Sequence, residues 1–173
     1  NGVKYYFFRQ TNFNKVIKTV IDFMQYTLKM QGFVFETKLD NFNDLICGDE
    51  DAITEAVENL ISNAIRFSSK KKEIMVSTFC TEGFACVSVK DYGIGINQSD
   101  ISKIFDPFFR SEDARSKKIE GTGLGLQIVK HIVEEHKGKI LIDSLPEQGS
   151  VFTLCFPILS NNKGDSSEED IDN

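Results

Sequence analysis

The stretch DYGIGI at residues 91–96 and the stretch GTGLGL at residues 121–126 decide what this 173-residue chain can be. Together they hold one acid and five glycines. Glycine tolerates a positive φ and has no side chain, so its backbone can approach a ligand closely and point amides at phosphate oxygens. The carboxylate of Asp91 would repel phosphate, and we expect it to accept a hydrogen bond from an uncharged group such as the exocyclic amine of adenine. The two stretches predict a nucleotide site.

The second stretch leads into a helical pattern of apolar residues, namely Leu126, Ile128, Val129, Ile132 and Val133. The free amides and partial positive charge at a helix N-terminus bind phosphate readily. The spacing GxGxG differs from both the dinucleotide fingerprint and the P-loop. For this stretch alone, a phosphate-binding helix start and a glycine-rich hinge are both open interpretations.

An earlier helical pattern carries Asn59 and Asn63, which are four residues apart and therefore share one helix face. Asparagine is a poor helix former, so two on one face suggest a purpose. Amide oxygens are suitable ligands for Mg²⁺. Arg66 lies beside Asn63 and can reach phosphate, and Phe67 can cover a base. Without the glycine stretches, a plain polar helix face would explain these residues better.

Composition excludes several other function classes. Hydrophobic residues make up 40% of the chain, which suits one domain with a core, and the net charge is −6, with five carboxylates in residues 165–173. Since there is no basic stripe, we expect no nucleic-acid partner. Since no apolar run approaches the roughly 18 residues of a membrane span, we expect no membrane contact by this chain and a cytoplasmic location. The chain does not begin with Met, and we expect it to be a piece of a longer protein.

Hydrophobic periodicity predicts a two-layer α+β sandwich with a mixed, mostly antiparallel sheet and about three main helices on one face. The first two long helices are predicted to begin after Asn12 or Asn14 and after Asp49 or Asp51. A short helix is predicted over residues 99–105, a mobile loop over 110–120 and a disordered acidic tail over 160–173. The predicted strands cover residues 4–8, 33–39, 45–48, 73–80, 84–91, 139–145 and 151–157.

The cysteines form no CxxC pair. We expect them to be small, buried or half-buried thiols in a reducing compartment. Cys80 and Cys86 flank the predicted hairpin turn between the strands at 73–80 and 84–91, and whether they contact each other stays open. The other two cysteines are Cys47 and Cys155.

Four segments, residues 59–67, 91–96, 105–110 and 121–126, resemble in order the sequence boxes of the catalytic, ATP-binding domain of sensor histidine kinases. The resemblance covers roughly residues 2–157. These kinases belong to a wider ATPase superfamily that includes DNA gyrase, the large heat-shock chaperones and the mismatch-repair ATPases. The resemblance implies a Bergerat-type fold with ATP and Mg²⁺ as ligands.

The resemblance also implies roles for matching residues. Asp91 would bind the adenine amine, and Asn63 would ligate Mg²⁺ with help from Asn59. Arg66 stands where a lysine usually contacts phosphate, and Arg110 would touch the γ-phosphate. Residues 97–120 would form an ATP lid. The remaining expected nucleotide contacts are Phe67, Gly93, Gly95, Ile96, Gly121, Thr122, Gly123, Leu124, Gly125 and Leu126.

Superfamily members that hydrolyse ATP carry a glutamate one turn before the metal-binding asparagine. Here that position is Asn59, which cannot act as a base. Glu55 fits only in a register that displaces the rest of the box, and Glu58 points elsewhere on the helix. The resemblance therefore implies that the γ-phosphate is presented to a separate histidine rather than transferred to water.

The resemblance divides the chain into a catalytic domain at residues 1–159 and the tail at 160–173. The phosphoacceptor histidine would lie on another domain of the same protein, a homodimer in its full-length form, and a response regulator would receive the phosphate. His131 and His136 are expected to be surface or capping residues. Two alternatives stay open: an ATP-hydrolysing or protein-serine-kinase relative on the same fold, and a non-catalytic nucleotide-binding interaction module.

Overall fold

The computed structural model describes residues 5–42, 45–68, 71–116 and 118–159. The elements follow the predicted order, with one additional short helix before the last long one. In chain order they are β1 Arg9–Asn12, α1 Phe13–Met30, β2 Val34–Leu39, β3 Leu45–Gly48, α2 Glu50–Phe67, β4 Glu73–Thr81, β5 Phe84–Asp91, α3 Glu112–Ser116, α4 Gly125–Glu135, β6 Lys139–Leu145 and β7 Gly149–Pro157.

The main sheet has five strands in the order β2-β4-β5-β7-β6. Strands β2 and β4 are parallel, and the other neighbouring pairs in this sheet are antiparallel. Strands β1 and β3 form a separate two-stranded antiparallel sheet. The predicted mixed, mostly antiparallel α+β architecture is therefore confirmed.

The core lies between one face of the sheet and the helices α1, α2 and α4. Alternate residues of β5, namely Ala85, Val87 and Val89, point into this core, as the period of two in a strand requires. Helix α1 contributes residues three and four apart, which places them on one face. These buried residues of α1 are Phe13, Val16, Ile17, Val20, Ile21, Met24 and Leu28.

Side-chain caps set where the two longest helices begin. Asn12 Oδ1 accepts a hydrogen bond from the Lys15 amide at 2.9 Å, and Asp49 Oδ1 accepts one from the Ala52 amide at 3.0 Å. These two of the four predicted caps are therefore the ones used. Helix α1 ends at its cap Gln31, and Gly32 follows in the left-handed conformation with φ of +76°.

The strand predicted at residues 4–8 is wrong for its described part, residues 5–8. Phe7 is 80% exposed, and its amide donates to Asp49 Oδ2 instead of joining a sheet. The first strand is β1, because β3 pairs with residues 9–12. Strand β2 lies where expected, but it is more exposed than the predicted half-buried strand, and Val34 is 54% exposed.

The region before α4 also differs from its prediction. Residues 99–105 form consecutive turns rather than a helix, with hydrogen bonds such as the Lys103 amide to the Asp100 carbonyl at 2.8 Å. The predicted loop at 110–120 contains α3, where Ser111 Oγ accepts from the Ala114 amide at 3.2 Å. Burial of Ala114 anchors this short helix, and a periodicity search over so few residues could not detect it.

Two cysteines expected to be thiols are joined in a disulfide. Cys86 and Cys155 lie opposite each other where β5 pairs with β7, with 4.1 Å between their Cα atoms. The two cysteines are brought together by the pairing of strands that are distant in sequence. The spacing of cysteines along the chain could therefore not indicate this disulfide. Cys47 and Cys80 are exposed.

None of the helices within the described ranges is long and apolar enough to cross a membrane. The predicted disordered tail at residues 160–173 lies outside the described residues.

Candidate functional site

A pocket at the end of β5 lies between α2, the start of α4 and the segment that connects β5 to α4. Most of the predicted site residues line it, although they come from distant parts of the chain. They are Asn63, Arg66, Phe67, Asp91, Gly95, Ile96, Arg110, Gly121, Gly123, Gly125 and Leu126. Apolar side chains that line the same pocket include Ile104, Phe109 and Phe152.

Asp91 is the last residue of β5 and is only 6% exposed. Burial raises the pKa of its carboxyl group to about 6, although hydrogen bonds from the amides of Gly93 and Ser150 act in the opposite direction. The Gly93 amide donates to Asp91 Oδ1 at 2.8 Å. The buried carboxylate has lost hydrogen bonds from water, so a hydrogen bond from a ligand donor would be favourable at this position.

The first glycine stretch is pressed against backbone on two sides. A Cβ atom at Gly93 would lie 2.2 Å from the Phe67 carbonyl oxygen, and one at Gly95 would lie 1.9 Å from the Leu145 carbonyl oxygen. Gly95 also has a φ of +68°. The Ile94 amide donates to the Phe67 carbonyl at 3.2 Å, which ties this stretch to the end of α2. Glycine is thus required at both positions, because other backbone segments pass too close to leave room for a Cβ atom.

The turn between β6 and β7 supports the site, and the sequence did not reveal it. Ser144 Oγ accepts from the Ile96 amide at 2.9 Å and lies 2.8 Å from Ser150 Oγ. A Cβ at Gly149 would lie 2.2 Å from the Asp91 carbonyl oxygen. In the sequence, Gly149 simply lies between the predicted strands 139–145 and 151–157, and a residue in such a turn gives no signal of the strand end that it contacts.

Helix α4 begins at Gly125, and its N-cap residue is Leu124, whose side chain has no hydrogen-bond acceptor. The first turn of the helix carries no acidic residue. The Thr122 hydroxyl accepts from the Leu124 amide at 3.4 Å, just before the helix. The amides of the first turn are thus suited to an anion, which favours the phosphate-binding interpretation of the second glycine stretch over the hinge.

Asn59 and Asn63 lie on the side of α2 that faces α4. A Cβ at Gly125 would lie 2.9 Å from Asn59 Oδ1, while the Asn59 amide nitrogen donates to the Glu55 carbonyl at 2.9 Å. Asn63 Oδ1 accepts from Arg66 Nη1 at 3.2 Å. The oxygen that was predicted to ligate Mg²⁺ therefore already has a cationic partner.

Two arginines border the glycine-rich loop before α4. A Cβ at Gly121 would lie 3.2 Å from Arg66 Nη1, so this guanidinium is next to the loop. Arg110 donates to the carbonyl oxygen of Ile119. The Phe108 amide donates to the Gly123 carbonyl at 3.1 Å. The Phe108 bond thus joins the predicted lid segment to the second glycine stretch, while the Arg110 bond lies within the lid segment.

The two histidines lie away from this pocket. His131 is exposed, whereas His136 is the C-cap residue of α4 and is 4% exposed. The prediction of surface or capping histidines is therefore confirmed, with His136 as a buried cap.

A family model described as histidine kinase-, DNA gyrase B- and HSP90-like ATPase matches residues 48–160. That range contains every predicted site residue. The chain belongs to this ATPase family. The family and the fold that the sequence resemblance implied are therefore both confirmed, while the roles of individual residues stay predictions.

Sensor histidine kinases are among the relatives that the chain matches. The chain is 40% identical over 125 residues to the sensor-like histidine kinase SenX3 of Mycolicibacterium smegmatis, which covers 72% of this chain and 33% of SenX3. It is 36% identical over 160 residues to the sensor kinase WalK of Staphylococcus haemolyticus, covering 91% of this chain and 26% of WalK. The chain thus spans about a third or less of these relatives.

Among solved structures, the catalytic domain of the histidine kinase ThkA has a TM-score of 0.73 with the chain at 29% identity. The match covers 87% of this chain and 95% of that domain. The ATPase fold is therefore shared over nearly the whole of a histidine kinase catalytic domain.

Substitution of Gly95 by alanine should lower the free energy of unfolding more than the same change at Gly83. Both glycines have positive φ, at +68° and +81°, but a Cβ at Gly83 has no heavy atom within 4 Å. Backbone strain costs about 1–2 kcal/mol at either position, and the overlap with Leu145 should add about 1–3 kcal/mol at Gly95. Urea denaturation of both variants measures the difference, and equal losses would contradict the close approach.

The buried carboxyl group of Asp91 should make stability depend on pH between its unfolded pKa of 3.8 and its folded pKa of about 6. The folded state binds more protons in this window, so the free energy of unfolding should fall as pH rises through it and then level off. The Asp91→Asn variant has no carboxyl group to titrate at this position and should lack this fall. Urea denaturation at pH 4 and pH 7.5 tests this, with Asp100→Asn as the control for a less buried acid.

Proposed function

We propose that this chain binds MgATP and presents the γ-phosphate for transfer to a histidine on a separate phosphoacceptor domain of a two-component sensor kinase. The observation that carries the proposal is the meeting of three different groups around one pocket. They are the buried acceptor Asp91, the amide-bearing face of α2 and the N-terminus of α4.

At the base end, Asp91 would accept a hydrogen bond from the adenine amine. Ile96 and Phe152 would supply apolar contacts to the ring, and the pocket around them would exclude water. Removing a carboxylate from water is unfavourable without compensating hydrogen bonds. The amine would add the donor that this buried carboxylate lacks, which makes recognition of the base selective for an amino group.

At the phosphate end, the first-turn amides of α4 and the guanidinium of Arg66 would bind the phosphate oxygens. Arg66 now donates to Asn63, so it would exchange this acceptor for a phosphate oxygen when nucleotide binds. Because guanidinium is a planar fork, its contact would differ from that of the lysine usual at this position.

Mg²⁺ would neutralise charge on the phosphates of ATP. Hard oxygen donors are the right chemical type for this ion. Asn59 Oδ1 lies close to the start of α4, and Asn63 Oδ1, which now accepts from Arg66, is carried one turn later on α2. Asn63 would hold the ion once Arg66 has turned to phosphate, and Asn59 would assist. The donor set therefore fits the ion.

The segment 97–120 would act as a lid that orders further over bound nucleotide. Ile104, Phe109 and Ala114 already line the pocket from this segment. Arg110 would leave the Ile119 carbonyl and turn toward the γ-phosphate, where its charge would stabilise the transferring group.

The transfer itself would need little covalent chemistry from this chain. A nitrogen lone pair of the acceptor imidazole would form the new bond to the γ-phosphorus, while the bond to the leaving oxygen breaks and its electron pair stays on ADP. Asn59 cannot take a proton from water, so no residue at that position favours hydrolysis. Positioning by Arg110, Arg66 and the α4 amides would be the contribution of this chain.

We further propose that residues 1–159 form the catalytic domain and that residues 160–173 are an acidic tail. The acceptor domain would belong to the same protein, acting as a homodimer, and a response regulator would receive the phosphate. In support, the histidine kinase ThkA has been solved in complex with the response regulator protein TrrA, at 28% identity and a TM-score of 0.71 to this chain.

Nucleotide binding should stabilise the chain in a way that depends on Asp91. MgATP at a hundredfold excess over its dissociation constant should add about 2.7 kcal/mol to the free energy of unfolding. The Asp91→Asn variant should lose this gain, because its side chain replaces a carboxylate oxygen by a donor. Thermal denaturation with and without MgATP measures both, with MgGTP as a control for base recognition. The same melting shift in wild type and variant would contradict the adenine assignment.

The chain alone should not phosphorylate itself with radiolabelled MgATP, because neither of its histidines lies at the pocket. Adding the phosphoacceptor domain of the same protein should produce acid-labile phosphate on that domain, and Asn63→Ala should abolish it. Acid-labile phosphate on His131 or His136 of the chain alone would contradict the proposal. Rapid phosphate release to water that is lost in Glu55→Gln or Glu58→Gln would instead favour an ATP-hydrolysing enzyme.

A further inference from the structure

Helices α2 and α4 run antiparallel and contact each other near both ends of α4. At one end, Gly125 at the start of α4 lies against Asn59 in the middle of α2. At the other end, His136, the residue that ends α4, accepts a hydrogen bond at Nε2 from the Asp49 amide just before α2, at 3.0 Å. The second contact joins residues 87 apart in sequence and lies outside the proposed nucleotide site.

The geometry assigns His136 a single neutral form. Nδ1 lies 2.7 Å from the Ile132 carbonyl oxygen, which can only accept, so Nδ1 carries the proton. Nε2 is then free to accept from the Asp49 amide. Burial lowers the pKa of His136 and so favours this neutral form, while the nearby carboxylates of Asp49 and Glu135 act in the opposite direction.

Neighbouring groups hold both partners of the hydrogen bond between His136 and the Asp49 amide in place. The His136 ring packs against Phe8 at a centroid distance of 4.8 Å and against Phe156 at 5.7 Å. A Cβ at Gly48 would lie 3.3 Å from His136 Cδ2, so there is little free space on that side of the ring. Asp49 itself is held by the bonds that its carboxylate accepts from Ala52 and Phe7.

We propose that His136 is a positioning residue: its bond to the Asp49 amide fixes how far α4 lies along α2, and so aligns the first-turn amides of α4 with Asn63. Apolar contacts between two helices are non-directional, and a slide by one residue is only about 1.5 Å. A hydrogen bond tolerates a change of only a few tenths of an ångström. The bond at one end of α4 therefore limits sliding at the other end.

Two variants of His136 distinguish the effect of its hydrogen bond to the Asp49 amide from the effect of its ring packing. His136→Gln keeps an acceptor that can reach the Asp49 amide, whereas His136→Asn keeps only the donor toward Ile132. We expect the asparagine variant to bind the nonhydrolysable ATP analogue AMP-PNP with Mg²⁺ about fivefold more weakly than wild type, within the range seen for substitutions that couple to a site without touching the ligand. The glutamine variant should stay within about twofold of wild type. Calorimetric titration at pH 8 measures both, at a temperature where urea denaturation shows each variant fully folded.

The control for general loss of stability is Leu28→Ala, which removes a fully buried side chain from α1. It should destabilise the chain without weakening nucleotide binding. If His136→Asn does not fold, His136→Phe keeps the ring contacts, lacks the acceptor and should show the same weaker binding. Binding by the asparagine or phenylalanine variant that equals wild type would overturn the proposal, and so would an equal loss in the glutamine variant.

The inference rests on the proposed nucleotide site, but its failure can be told apart from failure of that site. The amide resonances of Gly123 and Gly125, recorded by NMR without nucleotide, should move in His136→Asn and stay in place in His136→Gln. If the wild type bound no adenine nucleotide, the proposed function would be refuted. The comparison of these resonances between the two variants would still test whether His136 sets the position of α4 along α2. If these resonances did not move, the role of His136 would fall even with nucleotide binding intact.

Discussion

The end of β5 is the constraint on which the candidate site depends. This strand pairs with β4 on one side and β7 on the other: Asp91 lies opposite Ile74 of β4, and the preceding Lys90 lies opposite Val151 of β7. Directly after β5, Gly93 and Gly95 pass against the carbonyl groups of Phe67 and Leu145 with no room for a side chain. The end of α2, the end of β5 and the turn after β6 are thus joined backbone to backbone, and the pocket walls follow from that junction.

The same junction explains the electrostatics of Asp91. Packing the chain closely around the strand end removes water from the carboxyl group, which raises its pKa to about 6. The amides of Gly93 and Ser150 recover only part of the lost hydration. The ionised acid is therefore unfavourable for folding and favourable for binding a donor, as is often found at functional sites. The apolar core between the sheet and the three long helices offsets this cost.

The fold was largely predictable because its signals are local. The period of apolar residues marks α1 and α2, and the turn between β4 and β5 is marked by its own residues, where Glu82 and Gly83 have positive φ. Two of the predictions that failed concern segments whose structure depends on a distant partner. Residues 5–8 resemble a strand, but Asp49 takes the Phe7 amide, and Cys86 meets Cys155 only through strand pairing.

The candidate site shows the same difference between local signals in the sequence and contacts between distant residues. The sequence by itself determined which chemical groups are present and which of them share a local element: an acid followed by glycines, two asparagines on one helix face, and glycines before a helix. Only the tertiary structure decided which atoms face each other, such as Arg110 with the Ile119 carbonyl, Ser144 with the Ile96 amide and His136 with the Asp49 amide. The physical reason is that hydrogen bonds are short and directional. Between residues far apart in sequence, they form only where packing has already brought donor and acceptor together.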